Sequence, residues 1–176
     1  MIISASRRTD IPAFYGEWFR ARLEAGFFDR VNPYNPSQIK RISLAPADVD
    51  CFVFWTKNPA PFLETLKYLN MLNYKYYFQL TLNDYPDFFE PGLPSVEKRV
   101  EALRRLSDII SPEKIVWRYD PIVISDVTPV EYHLERFDRL CKAIADNVGR
   151  AVISFMVHYK KVRRALKTLE IRKGVK

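Results

Sequence analysis

Cys51-Phe52-Val53-Phe54-Trp55-Thr56-Lys57-Asn58-Pro59 passes from an apolar run straight into a helix start. Aromatic and β-branched residues in a short run favour a strand. Asn58 is suited to cap a helix and Pro59 to open its first turn. The stretch therefore predicts a strand over Cys51 to Trp55 and a helix reaching about Leu72. Toward the C-terminus the rhythm repeats. Tyr76 to Leu82 reads as a strand, Asn83 to Pro94 as a Pro-rich loop, and Ser95 caps a periodic helix to about Ile110. Lys114 to Tyr119 is the next strand. Thr128-Pro129-Val130-Glu131 has the capping-box arrangement, opening a helix to about Asn147. Ala151 to Val157 and Lys160 to Leu169 complete the series as strand and helix.

Toward the N-terminus, Ile2 to Ser6 is a short strand and Asp10-Ile11-Pro12 a helix start, with an amphipathic helix over Tyr15 to Phe27 ending near Gly26. Asn32-Pro33-Tyr34-Asn35-Pro36 is turn chemistry between Arg30-Val31 and Ile39 to Leu44. It predicts a β-hairpin or ordered loop inserted after the first helix. About five βα units with helical crossovers imply an α/β fold with a parallel sheet and right-handed connections. No glycine-rich phosphate loop follows any strand, which argues against a dinucleotide or nucleoside triphosphate site. Period-2 alternation puts Gln79, Thr81 and Asn83 on one face, likewise Arg118 and Asp120, and Ser154, Met156 and His158. Polar groups gathering toward strand ends describe a barrel mouth, so the expected fold is a partial (β/α) barrel with too few units to close.

The length of 176 residues suits one domain with a single core. We assign 1–159 to the partial barrel and 160–176 to a basic helix and tail. The net charge of +7 sits entirely in that tail, where eight Lys or Arg face one acid, Glu170. Such a helix is either a solvated face or a nucleic-acid patch. Cys51 and Cys141 have no partner at metal-ligand spacing, so a site built from Cys alone is excluded within this chain and no metal ligand is assigned. No stretch reaches membrane-spanning length, and Met1-Ile2-Ile3-Ser4 lacks signal-peptide features, so a cytoplasmic location is expected.

Two pentapeptides, Trp55-Thr56-Lys57-Asn58-Pro59 and Trp117-Arg118-Tyr119-Asp120-Pro121, share the order Trp, cation, Asx, Pro. Ser6-Arg7-Arg8-Thr9-Asp10 closes the first strand in a related way. Charges at strand exits line the active sites of α/β enzymes. Arg118 on an apolar strand either grips a carboxylate or phosphate, with Asp120 as orienter or base, or forms an internal ion pair with it. The catalytic candidates are Asp10, Lys57, Arg118 and Asp120. Arg7, Arg8, Thr56, Asn58, Gln79, Thr81, Asn83, Tyr119, Ser154 and His158 are the candidates for substrate binding. Trp55 and Trp117 read as core or pocket wall, and His133, between Glu131 and Glu135, as a surface residue. The expected partner is a small anionic molecule.

The stretches Ser6 to Pro12, Asn32 to Pro36, Val53 to Pro59 and Trp117 to Pro121 together resemble an uncharacterised bacterial and archaeal family, domain-of-unknown-function family 1848, over essentially the whole chain. Its members usually continue into a C-terminal cysteine cluster similar to the iron–sulfur ligands of radical S-adenosylmethionine enzymes, whose domains are partial or full (β/α) barrels. The resemblance implies an iron–sulfur, S-adenosylmethionine-dependent enzyme in which Arg7, Arg8, Lys57 and Arg118 hold an anionic group. This chain has no such cluster, so the expectation is that it binds neither cofactor alone and that 160–176 opens a continuation. The alternatives are a cofactor-independent (β/α) enzyme or lyase acting on a phosphorylated metabolite, and a nucleic-acid-binding module using the basic tail.

Overall fold

The chain opens with β1 (Ile2–Ser4), α1 (Ile11–Phe14) and α2 (Gly16–Ala25), followed by the hairpin strands β2 (Phe27–Asn32) and β3 (Asn35–Ser43). Then come β4 (Cys51–Thr56), α3 (Leu63–Met71), β5 (Tyr76–Thr81) and α4 (Val96–Ile110). The last elements are β6 (Ile115–Ile122), α5 (Val130–Ile144), β7 (Arg150–Phe155) and α6 (Lys160–Lys173). The computed structural model describes residues 1–6, 9–157 and 160–175.

β1, β4, β5, β6 and β7 form one parallel sheet in that order, and β2–β3 pair antiparallel outside it. Every crossover steps to the next neighbour in the same direction. Right-handed connections of that kind bring the helices to one face of the sheet. The α/β class, the parallel sheet and the inserted hairpin agree with the sequence reading. The sheet itself is open and does not close into a barrel.

Period 2 divides the strands between the faces. Phe52, Phe54, Phe78, Leu80, Ile115 and Trp117 are buried on the helix side. Phe19 of α2 meets Phe52 and Phe54 edge-on with ring centroids 5.3 and 5.4 Å apart, and Phe54 meets Phe62 at 4.9 Å. Phe52, Phe54, Phe62 and Phe78 are all fully buried. Burial of a side chain of this size stabilises by roughly 1.5–3 kcal/mol. Trp117 stacks on Phe137 of α5 at 4.8 Å, and its indole N–H donates to the Leu82 carbonyl at 2.9 Å. The opposite face carries Val53, Trp55, Gln79, Thr81, Val116, Arg118, Asp120 and Ser154, which the strand register sets in rows.

Three local expectations are corrected. The helix start at Asp10 and the helix over Tyr15 to Phe27 are two separate helices, because Asp10 caps a short turn of its own through its bond from the Ala13 N–H, and Tyr15 leaves helical geometry between them. Gly26 ends α2 with φ 75°, a left-handed conformation that glycine adopts without steric cost. The capping box at Thr128 does not form. Pro129 is the N-cap of α5, and the Thr128 hydroxyl donates instead to the Val123 carbonyl at 2.8 Å. His133 is buried rather than on the surface, with 6% exposure.

Candidate functional site

The exit of β4 is held by short polar bonds. The Asn58 N–H donates to Thr56 Oγ1 at 3.0 Å, and Asn58 Oδ1 accepts from the Ala60 N–H at 3.2 Å. Asp10 accepts from the Ala13 N–H at 3.0 Å with one oxygen and from the Lys57 N–H at 2.8 Å with the other. Its carboxylate thus ties the start of α1 to the exit of β4. Thr56 is buried. These three side chains shape the backbone at the exit, and the group they leave projecting is Lys57, whose ammonium pairs with Glu90 of the β5–α4 loop.

Arg118 lies on the helix-free face at the level of Thr81, its partner in register. It pairs with Asp120, donates to Gln79 Oε1 at 3.2 Å, and lies over the Trp55 ring with 4.9 Å to the centroid. Ser154 donates to the same Asp120 oxygen at 3.4 Å. Arg118 and Asp120 side chains are 19% and 14% exposed, so each has lost much of its water and relies on the other. The structure thus brings together Gln79, Arg118, Asp120 and Ser154, and adds Trp55 as a wall. Asn83 is buried beside them, its amide donating to the Asp120 carbonyl at 3.0 Å.

Tyr119 belongs to the other side of the sheet. Its hydroxyl meets His133 Nδ1 at 2.9 Å, and His133 Nε2 meets the Val123 carbonyl at 2.9 Å. A carbonyl only accepts, so Nε2 carries the proton and Nδ1 accepts from the phenol. Burial raises the Tyr119 pKa, which keeps that phenol a donor. This residue packs under α5 and does not reach the open face. Arg7, Arg8 and His158 lie outside the described residues.

Beyond the carboxyl ends of β4, β5 and β6 is a pocket of about 300 Å³, whose wall includes Lys57, Tyr85, Phe89, Glu90, Pro121 and Val123. Tyr85 fastens it, donating to the Pro121 carbonyl at 2.8 Å and accepting from the Val123 N–H at 2.9 Å. Burial pushes its pKa up to about 12. The loop is pinned from α5 as well, because Arg136 and Arg139 both pair with Asp84. A second cavity of about 210 Å³ shares Tyr85, Glu90 and Leu93 with the first and is also lined by Arg99. Arg99 is 5% exposed and donates to the Pro94 carbonyl at 3.1 Å and the Asn83 carbonyl at 2.9 Å, while its Nη1 has no partner among the described residues. Burial lowers its pKa, and the charges of Glu90 and Asp84 oppose that shift.

Glu90, Tyr85, Phe89 and Arg99 were not among the sequence candidates. The available signal was the density of acids and aromatics in Asp84-Tyr85-Pro86-Asp87-Phe88-Phe89-Glu90, a loop that directly follows a strand. Among the described residues no group of three or more His, Cys, Asp or Glu is placed to hold a metal ion. No helix among them is long and apolar enough to cross a membrane.

The open parallel sheet thus has a pocket beyond the carboxyl ends of β4, β5 and β6, the side on which open α/β sheets commonly place their crevices. The chain belongs to the family described as Domain of unknown function (DUF1848), whose family model matches residues 2–176. No curated protein and no solved structure matches it.

Proposed function

We propose that this chain is the ligand-binding arc of a (β/α)-barrel enzyme and that it binds a small organic anion at the exits of β4, β5 and β6. One observation carries the reading: Lys57 stands in the wall of a 300 Å³ pocket whose other walls include Tyr85, Phe89, Leu93, Pro121 and Val123. A cation beside aromatic and apolar walls suits a molecule with a carboxylate or phosphate at one end and an unsaturated or apolar body. Lys57, whose ammonium has Glu90 as its single partner among the described residues, supports this better than Arg118, whose guanidinium is engaged by Asp120, Gln79 and Trp55.

The family resemblance implies an iron–sulfur cluster and S-adenosylmethionine. Such clusters are held by sets of Cys thiolates. This chain has Cys51 at the start of β4, the end of the strand away from the pocket, and Cys141 on α5. Burial raises the Cys51 thiol pKa, opposite to what a ligand thiolate needs. These residues do not fit a cluster, and the proposed site does not depend on one.

Titration with inorganic phosphate and phenyl phosphate tests the reading. Phenyl phosphate should bind more tightly, because the ring meets the apolar walls, and Lys57→Ala should weaken both by at least about tenfold. Binding that survives Lys57→Ala unchanged overturns the proposal.

A further inference from the structure

Glu90 occupies an unusual place. One carboxylate oxygen pairs with Lys57, the other is buried without a partner among the described residues, and the side chain is 13% exposed. Glu90 lines both cavities, whereas Arg99 lines only the second. Arg99 in turn has a buried Nη1 without a partner among the described residues, and the charge of Glu90 acts on it although no ion pair joins the two. A donor and an acceptor, both buried and both unsatisfied, therefore line the same small cavity. Unsatisfied buried charges are costly, and native structures pair them.

From this we infer that Glu90 is the specificity gate of the anion site: it holds Lys57 when no ligand is bound and moves onto Arg99 when an anion takes the lysine. The inference rests on the Lys57 reading above and deepens it. An arriving anion must displace a charge-assisted contact. If Glu90 had nowhere to go, displacement would strand a buried carboxylate, and that cost would be subtracted from affinity. Arg99 Nη1 receives it. The gate then opens for ligands that offer Lys57 a full negative charge and stays closed to neutral molecules of the same size, which cannot compete with a carboxylate.

The arrangement makes Arg99 a positioning residue that influences affinity without touching the first pocket, and a double-mutant cycle reads this directly. Phosphate dissociation constants are measured by calorimetry for the unmodified chain, Glu90→Gln, Arg99→Lys and the double variant, with thermal melting to verify folding. Glu90→Gln should tighten phosphate by about tenfold, because the resident competitor loses its charge. Arg99→Lys, whose one nitrogen cannot stand in for three separate guanidinium nitrogens, should weaken phosphate in the unmodified background and have no effect in the Glu90→Gln background. An equal effect of Arg99→Lys in both backgrounds overturns the gate, as does failure of Glu90→Gln to tighten binding. If Arg99→Lys does not fold, Glu90→Gln alone decides. Binding that is absent, or insensitive to Lys57→Ala, overturns the anion site and the gate together. Lys57-dependent binding without coupling between Glu90 and Arg99 overturns only the gate.

Discussion

The two pentapeptides with the same residue format are read in opposite phase by the sheet. Trp55 faces the open side and is 38% exposed, while Trp117 faces the helices and is 1% exposed. The cation follows the tryptophan by two residues in the first and by one in the second. Because side chains alternate with period 2, that single-residue difference sends the tryptophans to opposite faces. It also brings Lys57 and Arg118 to a common level, since Thr56 pairs with Leu80 and Thr81 with Arg118. Similar words in a sequence can thus describe a half-exposed ring under an arginine in one strand and a core anchor in the next.

Substituting the two tryptophans is the strongest way to break this comparison. Trp117→Ala removes a stacked, hydrogen-bonded core ring and should cost about 3–5 kcal/mol. Trp55→Ala loses chiefly the contact with Arg118 and should cost about 1 kcal/mol. Urea unfolding of both variants checks it, and equal losses would mean that the phases are wrongly assigned. The ion pairs come next. Asp120→Ala leaves Arg118 without its main partner on a largely desolvated face and should cost about 2–3 kcal/mol, whereas Glu90→Gln opposite the more exposed Lys57 should cost less than about 1 kcal/mol. The same unfolding experiment separates them.

A third test concerns Tyr85, which clasps the chain at the end of the second pentapeptide. Tyr85→Phe should cost about 1–2 kcal/mol near neutral pH through its lost hydrogen bonds. It should also change the alkaline limb. The Tyr85 pKa rises from its ordinary value of 10 to about 12 on folding, so the folded state holds the proton more tightly. Its contribution is intact below pH 10 and is lost as pH climbs toward 12. Unfolding free energies measured across that window should fall less steeply in Tyr85→Phe, with a residual slope from Tyr76 and Tyr119, which burial raises in the same way.

Much of the fold was legible because strands and crossovers here carry strong local signals. Each of the five sheet strands overlaps an apolar run, and the Asn-Pro turns announced the hairpin. Thr128 was misread because capping is a competition. Its hydroxyl has the Val123 carbonyl within reach, and nothing in the four-residue pattern reveals that neighbour. His133 was hidden by its acidic flanks, although 133, 137, 140 and 144 mark one helical stripe that includes the core residues Leu140 and Ile144. Tyr119 could have been placed by the same alternation that placed Arg118, since adjacent strand residues face opposite ways. Glu90 was beyond local reading. Its partner Lys57 lies 33 residues earlier, and only the folded loop brings them together.

The guanidinium of Arg118 over the Trp55 ring has a practical consequence. The chain holds three tryptophans, and their surroundings differ: Trp18 is 47% exposed, Trp117 is sealed in the core, and Trp55 has a positive charge against its face. Indole emission responds to solvent and to nearby charge. The protein therefore contains its own optical reporter, in which the core indole stays silent until unfolding while the one under the arginine registers any displacement of that charge.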